Sequence, residues 1–523
     1  MRPCTGCMMS KGTFVKGVIF VACLVMSILQ TDFSLWLLWE RGGRFFFMAG
    51  EMFPPDTQFL TQVLAPLRDT LFISLMGTGL GAFIGFAGTV LCNSYVNRNN
   101  ALRAGIKTAV HLVRCIPVLI LALLCTFLFG LGVWPGVAAI TVSTGAVLTR
   151  LGYEDSENAD LRTARALEFT GGGRLKAFLS SVWRQVLPGY ISNLLYLLES
   201  NVRNAAVLGF VGAGGIGLLL NEKLAWREYP KVGMMLCALY IVVSGAEYLS
   251  EFLRKNLRDE KAGMVRGYEI TFLLFSVICG LFFLLEKTPE KMNWKAFQSI
   301  LAGVVSPDVT MLCSLQSGDV PALLYETFCI AFLGTVGGTI CALFFSVFAS
   351  FRIFGKAAFP VRMLLLLFRA VPVLVFGLLW IRVTGPGAFA GVLTLTVCSV
   401  GFLAKRFLIA VDSIDLRPYE ALRAMGTPLL PALRWGLVPQ LLPHYVSAVL
   451  YRLDINLRES AALGLVGAGG IGTTLVLAMN HYEWSQAGSM LWGLLALVAV
   501  VGVFSETYRK TFRLRALGSK QEK

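Results

Sequence analysis

Three groups of residues have types and spacings that could do chemistry. The first is VGAGGIG at 211–217, repeated letter for letter at 466–472. Gly212, Gly214 and Gly217 fit the G-x-G-x-x-G turn that cradles a dinucleotide pyrophosphate, as do Gly467, Gly469 and Gly472; Gly215 and Gly470 complete each run. The second is an acid and an arginine four residues apart: Glu199 with Arg203, and Asp454 with Arg458. Asn201 and Asn456 lie between the partners, and Glu459 adds a further carboxylate to the second set. The third is the histidines and cysteines. His111, His444 and His481 are isolated and form no metal spacing. Cys4 and Cys7 have the C-x-x-C redox spacing, but no strand pattern surrounds them. No nucleophile–base set stands out, and no G-x-x-x-x-G-K-[ST] phosphate loop occurs. The chain is therefore expected not to be an enzyme, and to hold no metal or cofactor of its own.

The elements that must position these residues are membrane helices. Of 523 residues, 56% are hydrophobic and 15% charged, against about 25% charged in soluble domains. The apolar runs are roughly twenty residues long and do not alternate, which selects helices over a barrel. The remaining cysteines lie mostly inside these runs, as small buried hydrophobes. The net charge of +15 falls between the runs, so it points to cytoplasmic loops against lipid and not to nucleic acid.

The chain is a tandem duplication. ESNVRNAAVLGFVGAGGIG at 199–217 and DINLRESAALGLVGAGGIG at 454–472 agree at twelve of nineteen positions, at an offset of 255. The same offset pairs Arg114 to Val118 with Arg369 to Val373, and Gln185 with Gln440. A slightly different offset pairs Asp69-Thr70 with Glu326-Thr327, and Gly77-Thr78 with Gly334-Thr335. The expected spans lie near 15–38, 70–95, 108–131, 134–149, 187–209 and 232–253, then near 268–286, 325–350, 362–381, 386–404, 437–464 and 486–506. The expected organisation is a first repeat at 1–253, a linker at 254–267, a second repeat at 268–510 and a basic tail at 511–523. Lys and Arg are dense at 98–107, 150–176, 254–266, 352–362, 405–423 and 510–520, which puts both termini in the cytoplasm and makes the repeats parallel. Arg41 to Arg44, Lys223 to Lys231 and Lys287 to Lys295 run against that pattern.

Pro188 and Pro443 are expected to begin matching helices, with Glu199 and Asp454 eleven residues on, roughly 16 Å into a core about 30 Å thick. A charge at that depth costs roughly 2.5 kcal/mol or more. Two readings stand side by side: an intrahelical ion pair that glues the bundle, or a polar lining of a transport path in which Arg203 and Arg458 face an anion. The glycines follow a membrane helix, not a strand, so the dinucleotide reading fails. A sharp helix break followed by a short re-entrant helix is expected instead.

Before the second pair lies RPYEALRAMGTPLLPALRWGLVPQLLP at 417–443. Glu420, Ala421, Leu422 and Gly426, with Pro439 further on, resemble the EAA loop of ABC-importer permeases, a helix–glycine–helix knob that an ATPase subunit grips. The first half offers Ala166, Leu167 and Gly171, but Arg165 replaces the glutamate and Arg184 the proline. Together with the two long repeated segments and RAVPVL at 369–374, these residues are similar to the membrane subunit of phosphonate-type ABC importers, with two family copies fused in one chain.

That resemblance implies an all-α polytopic membrane protein of the ABC type I importer permease fold, with about twelve transmembrane helices in two parallel pseudo-symmetric halves. It implies a bacterial inner-membrane location. It also implies a homodimeric ABC ATP-binding subunit on the cytoplasmic side, where ATP and Mg²⁺ would be bound, and an extracytoplasmic solute-binding protein. The cargo would be a phosphonate, or else phosphate, phosphite or hypophosphite. Two departures bear on this. The first loop is degenerate, and Glu459 in place of Asn204 makes the two halves of the path electrically unequal. A proton-coupled secondary transporter or channel using the buried carboxylates is the alternative from another class; it leaves the loop at 420–426 without a role.

Overall fold

The computed structural model describes residues 11–258, 292–314 and 318–521, with 274, 277, 278, 280, 281 and 316. Every regular element among them is helical. The helices that matter below are α1 (Lys11–Gln30), α2 (Leu60–Cys92), α3 (Asn100–Cys115), α4 (Val118–Phe129), α5 (Val133–Glu157), α6 (Arg162–Phe169), α7 (Trp183–Leu208), α8 (Ile216–Ala225) and α9 (Tyr229–Arg258). The second half supplies α10 (Val320–Phe348), α11 (Ala358–Ala370), α12 (Val373–Thr384), α13 (Ala388–Ser413), α14 (Arg417–Ala424), α15 (Leu429–Gly436), α16 (Val438–Leu463), α17 (Ile471–Asn480) and α18 (Trp484–Gln521).

Among the described residues, five unbroken helices are long and apolar enough to cross a membrane, and five bent pairs pass the same test as single spans. They match ten of the twelve expected spans. The one near 268–286 lies mostly outside the described residues. The one near 134–149 is present as α5 but fails the apolar test; threonine, glycine and serine dilute it, and it reaches Glu157, well past the expected end. The third span is not straight: α3 and α4 meet at 97° across Ile116 and Pro117, because a residue before proline is driven out of the helical region. Pro188 and Pro443 do not begin their helices. Each lies inside, five residues after the start of α7 or α16.

In the core of the first half, α2 packs on α5 through Gly77, Gly81 and Gly85. A β-carbon on these would fall 2.6, 2.7 and 2.6 Å from Ile140, Thr144 and Leu148. Gly334 and Gly338 bring α10 onto α13 in the same way, with 2.6 Å to Leu395 and 2.4 Å to Ser399. Small residues every fourth position let helix backbones approach, which is what holds helices together where lipid is as apolar as leucine. The polar look of α5 thus comes from packing.

Two compact units emerge. One takes in Met1–Phe45, Pro307–Arg369 and Val373–Lys523, the other Phe46–Ser306 and Ala370–Pro372. In the first, α1 lies against α10, with Phe20 edge-on to Phe332 at 5.6 Å. In the second, Val277 and Gly280 lie against Gly79 and Met76 of α2. Thus α1 of the first half packs with a helix of the second half, and Val277 and Gly280 of the second half pack on a helix of the first.

Candidate functional site: glycine breaks, buried ion pairs and loops

Both glycine runs break a helix. The helical stretch ending at Val211 meets α8 at 55°, and the one ending at Val466 meets α17 at 48°. Gly212, Gly214 and Gly215 have φ of 79°, 76° and 80°; Gly467, Gly469 and Gly470 have 86°, 81° and 74°. These are left-handed values that glycine adopts without penalty. Gly217 and Gly472 serve closeness instead, since a β-carbon there would lie 2.3 Å from the Ala206 carbonyl oxygen and 1.9 Å from that of Ala461. The short helix expected after each run is present as α8 and α17.

The breaks are pinned from outside. Gly132 N–H donates to Gly212 O at 2.9 Å, and Gly387 N–H to Gly467 O at 3.0 Å. Thr70 Oγ1 accepts the Ile216 N–H at 2.8 Å, and Thr327 Oγ1 the Ile471 N–H at 2.9 Å. Glu326 Oε1 also accepts the Gly470 N–H, at 3.0 Å. The recurring threonine is thus the cap on the short helix in both halves, and in the second half the neighbouring acid caps it as well. Thr327→Val should lower stability by about 0.5–2 kcal/mol, the usual worth of such a cap, read as a fall in melting temperature in detergent; an unchanged midpoint would leave Thr327 without that role.

Both ion pairs form. Arg203 Nη1 lies 3.0 Å from Glu199 Oε1, and Arg458 Nη2 is paired with Asp454 Oδ2. Glu199 is 3% exposed and its arginine 22%. The sequence did not reveal that Arg254 of α9 also approaches Glu199, at 3.8 Å, so one carboxylate serves two guanidinium groups and α7 is tied to α9. Asp454 likewise faces α18, with Oδ1 3.8 Å from a β-carbon placed on Gly502.

Asn201 and Asn456 point elsewhere. Asn201 Nδ2 donates to Thr78 Oγ1 and Thr144 Oγ1, both at 2.8 Å. Asn456 Nδ2 donates to Thr335 Oγ1 at 2.8 Å and Ser399 Oγ at 2.9 Å. Each buried asparagine clasps three helices inside its own unit. Glu459 also has a partner that sequence reasoning missed. Arg452 Nη2 reaches Glu459 Oε2 at 2.9 Å, while its Nε donates to Ser399 Oγ at 3.0 Å. Arg452 is only 5% exposed and stands where the first half has Leu197. The two halves differ by a neutral pair, not by a lone charge. The signal was present as two opposite charges seven residues apart, on one helix face.

Both loops fold as a short helix, a glycine turn and a second helical stretch. Gly171 and Gly426 turn with φ of 89° and 77°. Gly436 packs so tightly on Tyr419 that a β-carbon would fall 2.8 Å from its Cα. Gln440 explains its recurrence: its amide accepts from Asp415 N–H at 3.2 Å and donates to Asp415 O at 3.0 Å. Gln185 clasps Asp160 in the same two-way manner. Large apolar side chains stand exposed on both loops, among them Phe169 at 90%, Leu430 at 77% and Trp435 at 69%. Such a surface is what a partner covers.

Two helix–glycine–helix knobs, each leading into a helix broken by glycines, describe a transport scaffold repeated within one chain. The sequence profile of the binding-protein-dependent transport system inner membrane component family matches residues 59–258 and again 334–515. The chain belongs to that family. It is an ABC-importer permease of the type I fold, carrying two family copies, and so a transport subunit of an inner membrane that works with an ATP-binding subunit and a substrate-binding protein. The phosphate-import permease protein PhnE of Mycolicibacterium smegmatis is 29% identical over 484 residues, 91% of each chain. The phosphite transport permease PtxC of Stutzerimonas stutzeri is 34% identical over 189 residues, 34% of this chain and 67% of that one. Inward-facing crystal structures of the MetNI methionine transporter match at 25% identity with a TM-score of 0.33, over 37% of this chain and 95% of theirs.

Proposed function

We propose that this permease carries a phosphorus oxyanion, a phosphonate or one of phosphate, phosphite and hypophosphite, into the cell. The similarity of nearly the whole chain to a phosphate-import permease carries the reading. Arg203 and Arg458 suit the cargo. A guanidinium fork binds tetrahedral oxyanions with two parallel hydrogen bonds, and each arginine is held by a carboxylate that fixes its position and tempers its charge. The glycine breaks set the bend beside those arginines. ATP and Mg²⁺ act in a homodimeric partner that grips the two loops, with both termini on the same cytoplasmic side. For the extents of the two copies we keep the sequence reading of 1–253 and 268–510, alongside the family matches at 59–258 and 334–515.

The test is reconstitution in liposomes with the ATP-binding subunit and the solute-binding protein. Uptake of methylphosphonate, phosphate, phosphite and hypophosphite is compared with and without ATP. ATP-dependent uptake of at least one is expected. Uptake that proceeds without the ATP-binding subunit would overturn the reading in favour of a secondary transporter or channel. In the same assay Arg458→Ala should abolish uptake while the complex still purifies intact. Normal uptake would make the Asp454–Arg458 pair structural only.

A further inference from the structure

The two loops carry the same charges in opposite order. On α14 Glu420 comes first and Arg423 follows three residues later; on α6 Arg165 comes first and Glu168 follows. The first loop has therefore not lost its carboxylate. The acid has moved one helical turn along, roughly 4.5 Å.

The moved carboxylate is fully engaged. Glu168 Oε1 accepts from Arg174 Nε at 2.8 Å, and Oε2 accepts from Tyr95 Oη at 2.8 Å. Those two hydrogen bonds, Arg174 first, hold the Glu168 carboxyl below its ordinary range. Tyr95 Oη also reaches the Ala164 carbonyl oxygen at 3.2 Å, which fastens the start of α6 to the same lock. Leu429 stands where Arg174 does, so the second loop has no such lock. Glu420 is exposed, and its carboxylate has no ion pair or hydrogen bond among the described residues.

We infer that the two loops grip the ATP-binding subunits unequally: Glu420 of the second loop accepts a basic side chain of its ATP-binding subunit, whereas the first loop has withdrawn its acid into the Tyr95–Glu168–Arg174 lock and docks through apolar contact alone. This rests on the reading of the chain as an ATP-driven permease. The physical reason is that a groove whose cation accepts Glu420 meets like charge at Arg165. If the two ATP-binding subunits are identical, the same groove is attractive at one loop and repulsive at the other. The lock then makes the first loop a rigid strut, and the second loop bears the electrostatic part of the coupling.

The test uses the full chain in lipid nanodiscs, titrated with the purified ATP-binding subunit. Glu420 and Arg165 are exposed on the loop surface, whereas Glu168 is half-buried in its lock, so each variant's melting temperature is checked first. Glu420→Gln should weaken association at least tenfold, the scale of one charge-assisted hydrogen bond. Glu168→Gln should leave it within about twofold, whereas Arg165→Gln should strengthen it and Arg165→Glu strengthen it further. Equal losses from Glu420→Gln and Arg165→Gln would overturn the inference, as would a loss from Glu168→Gln as large as that from Glu420→Gln. If no ATP-binding subunit associates with the unaltered chain, the permease reading itself falls, an outcome distinct from equal losses.

Discussion

Glu459→Asn should destabilise the protein by about 3–5 kcal/mol, although asparagine is what the first half carries at that place. The substitution leaves the buried Arg452 guanidinium without its counter-charge, and its one remaining acceptor, Ser399 Oγ, is already shared with Asn456. Arg452→Leu alone should be less harmful, because Glu459 is partly exposed and can find solvent. The double variant, Arg452→Leu with Glu459→Asn, copies Leu197 and Asn204 and should recover most of what Glu459→Asn loses. The coupling appears as a melting temperature in detergent well above the sum of the single shifts. Additive losses would mean that the two side chains act independently, and the 2.9 Å contact would then carry no energy of its own.

Gly472→Ala is the second large expected loss. The new methyl would lie 1.9 Å from the Ala461 carbonyl oxygen and 3.0 Å from the Gly464 Cα. Both are backbone atoms, so no side chain can swing aside, and α16 and α17 must separate at the break. The cost should reach the upper end of about 1–3 kcal/mol for overpacking, or exceed it, and uptake should fall with it. Gly467→Ala should be milder. Its left-handed φ of 86° costs about 1–2 kcal/mol for a residue with a β-carbon, but the methyl would meet nothing nearer than Pro386 at 4.0 Å. The ordering is the test. If Gly467→Ala unfolds the protein at lower temperature than Gly472→Ala, backbone conformation outweighs helix approach at the break.

Much of this was readable in the residue string because duplication marks what matters. The glycine runs, the acid–arginine pairs, Gln185 with Gln440, and Asp69-Thr70 with Glu326-Thr327 all recur, and all prove to hold equivalent positions. Their tasks were less legible. That Thr70 and Thr327 cap helices about 145 residues away, or that the glutamines clasp a loop entrance, follows only from tertiary neighbours. Asn201 and Asn456 were read with the ion pairs because they sit between them in sequence. Two residues along a helix is about 200° of rotation, so they face the opposite side. Arg452 escaped notice because it breaks the symmetry that made everything else visible. The length of α5 escaped because glycine and threonine lower apparent hydropathy where helices pack most closely.

The exchange of contacts between the halves has a consequence for the chain as an object. Two half-length subunits making the same exchange would do so between separate molecules, and completeness of each bundle would depend on their concentration. On one polypeptide the partner span is always at hand, at an effective concentration set by the connecting segment. Each bundle is then completed by a unimolecular step that dilution does not reverse. A chain cut between the repeats would turn that step back into an encounter between two molecules.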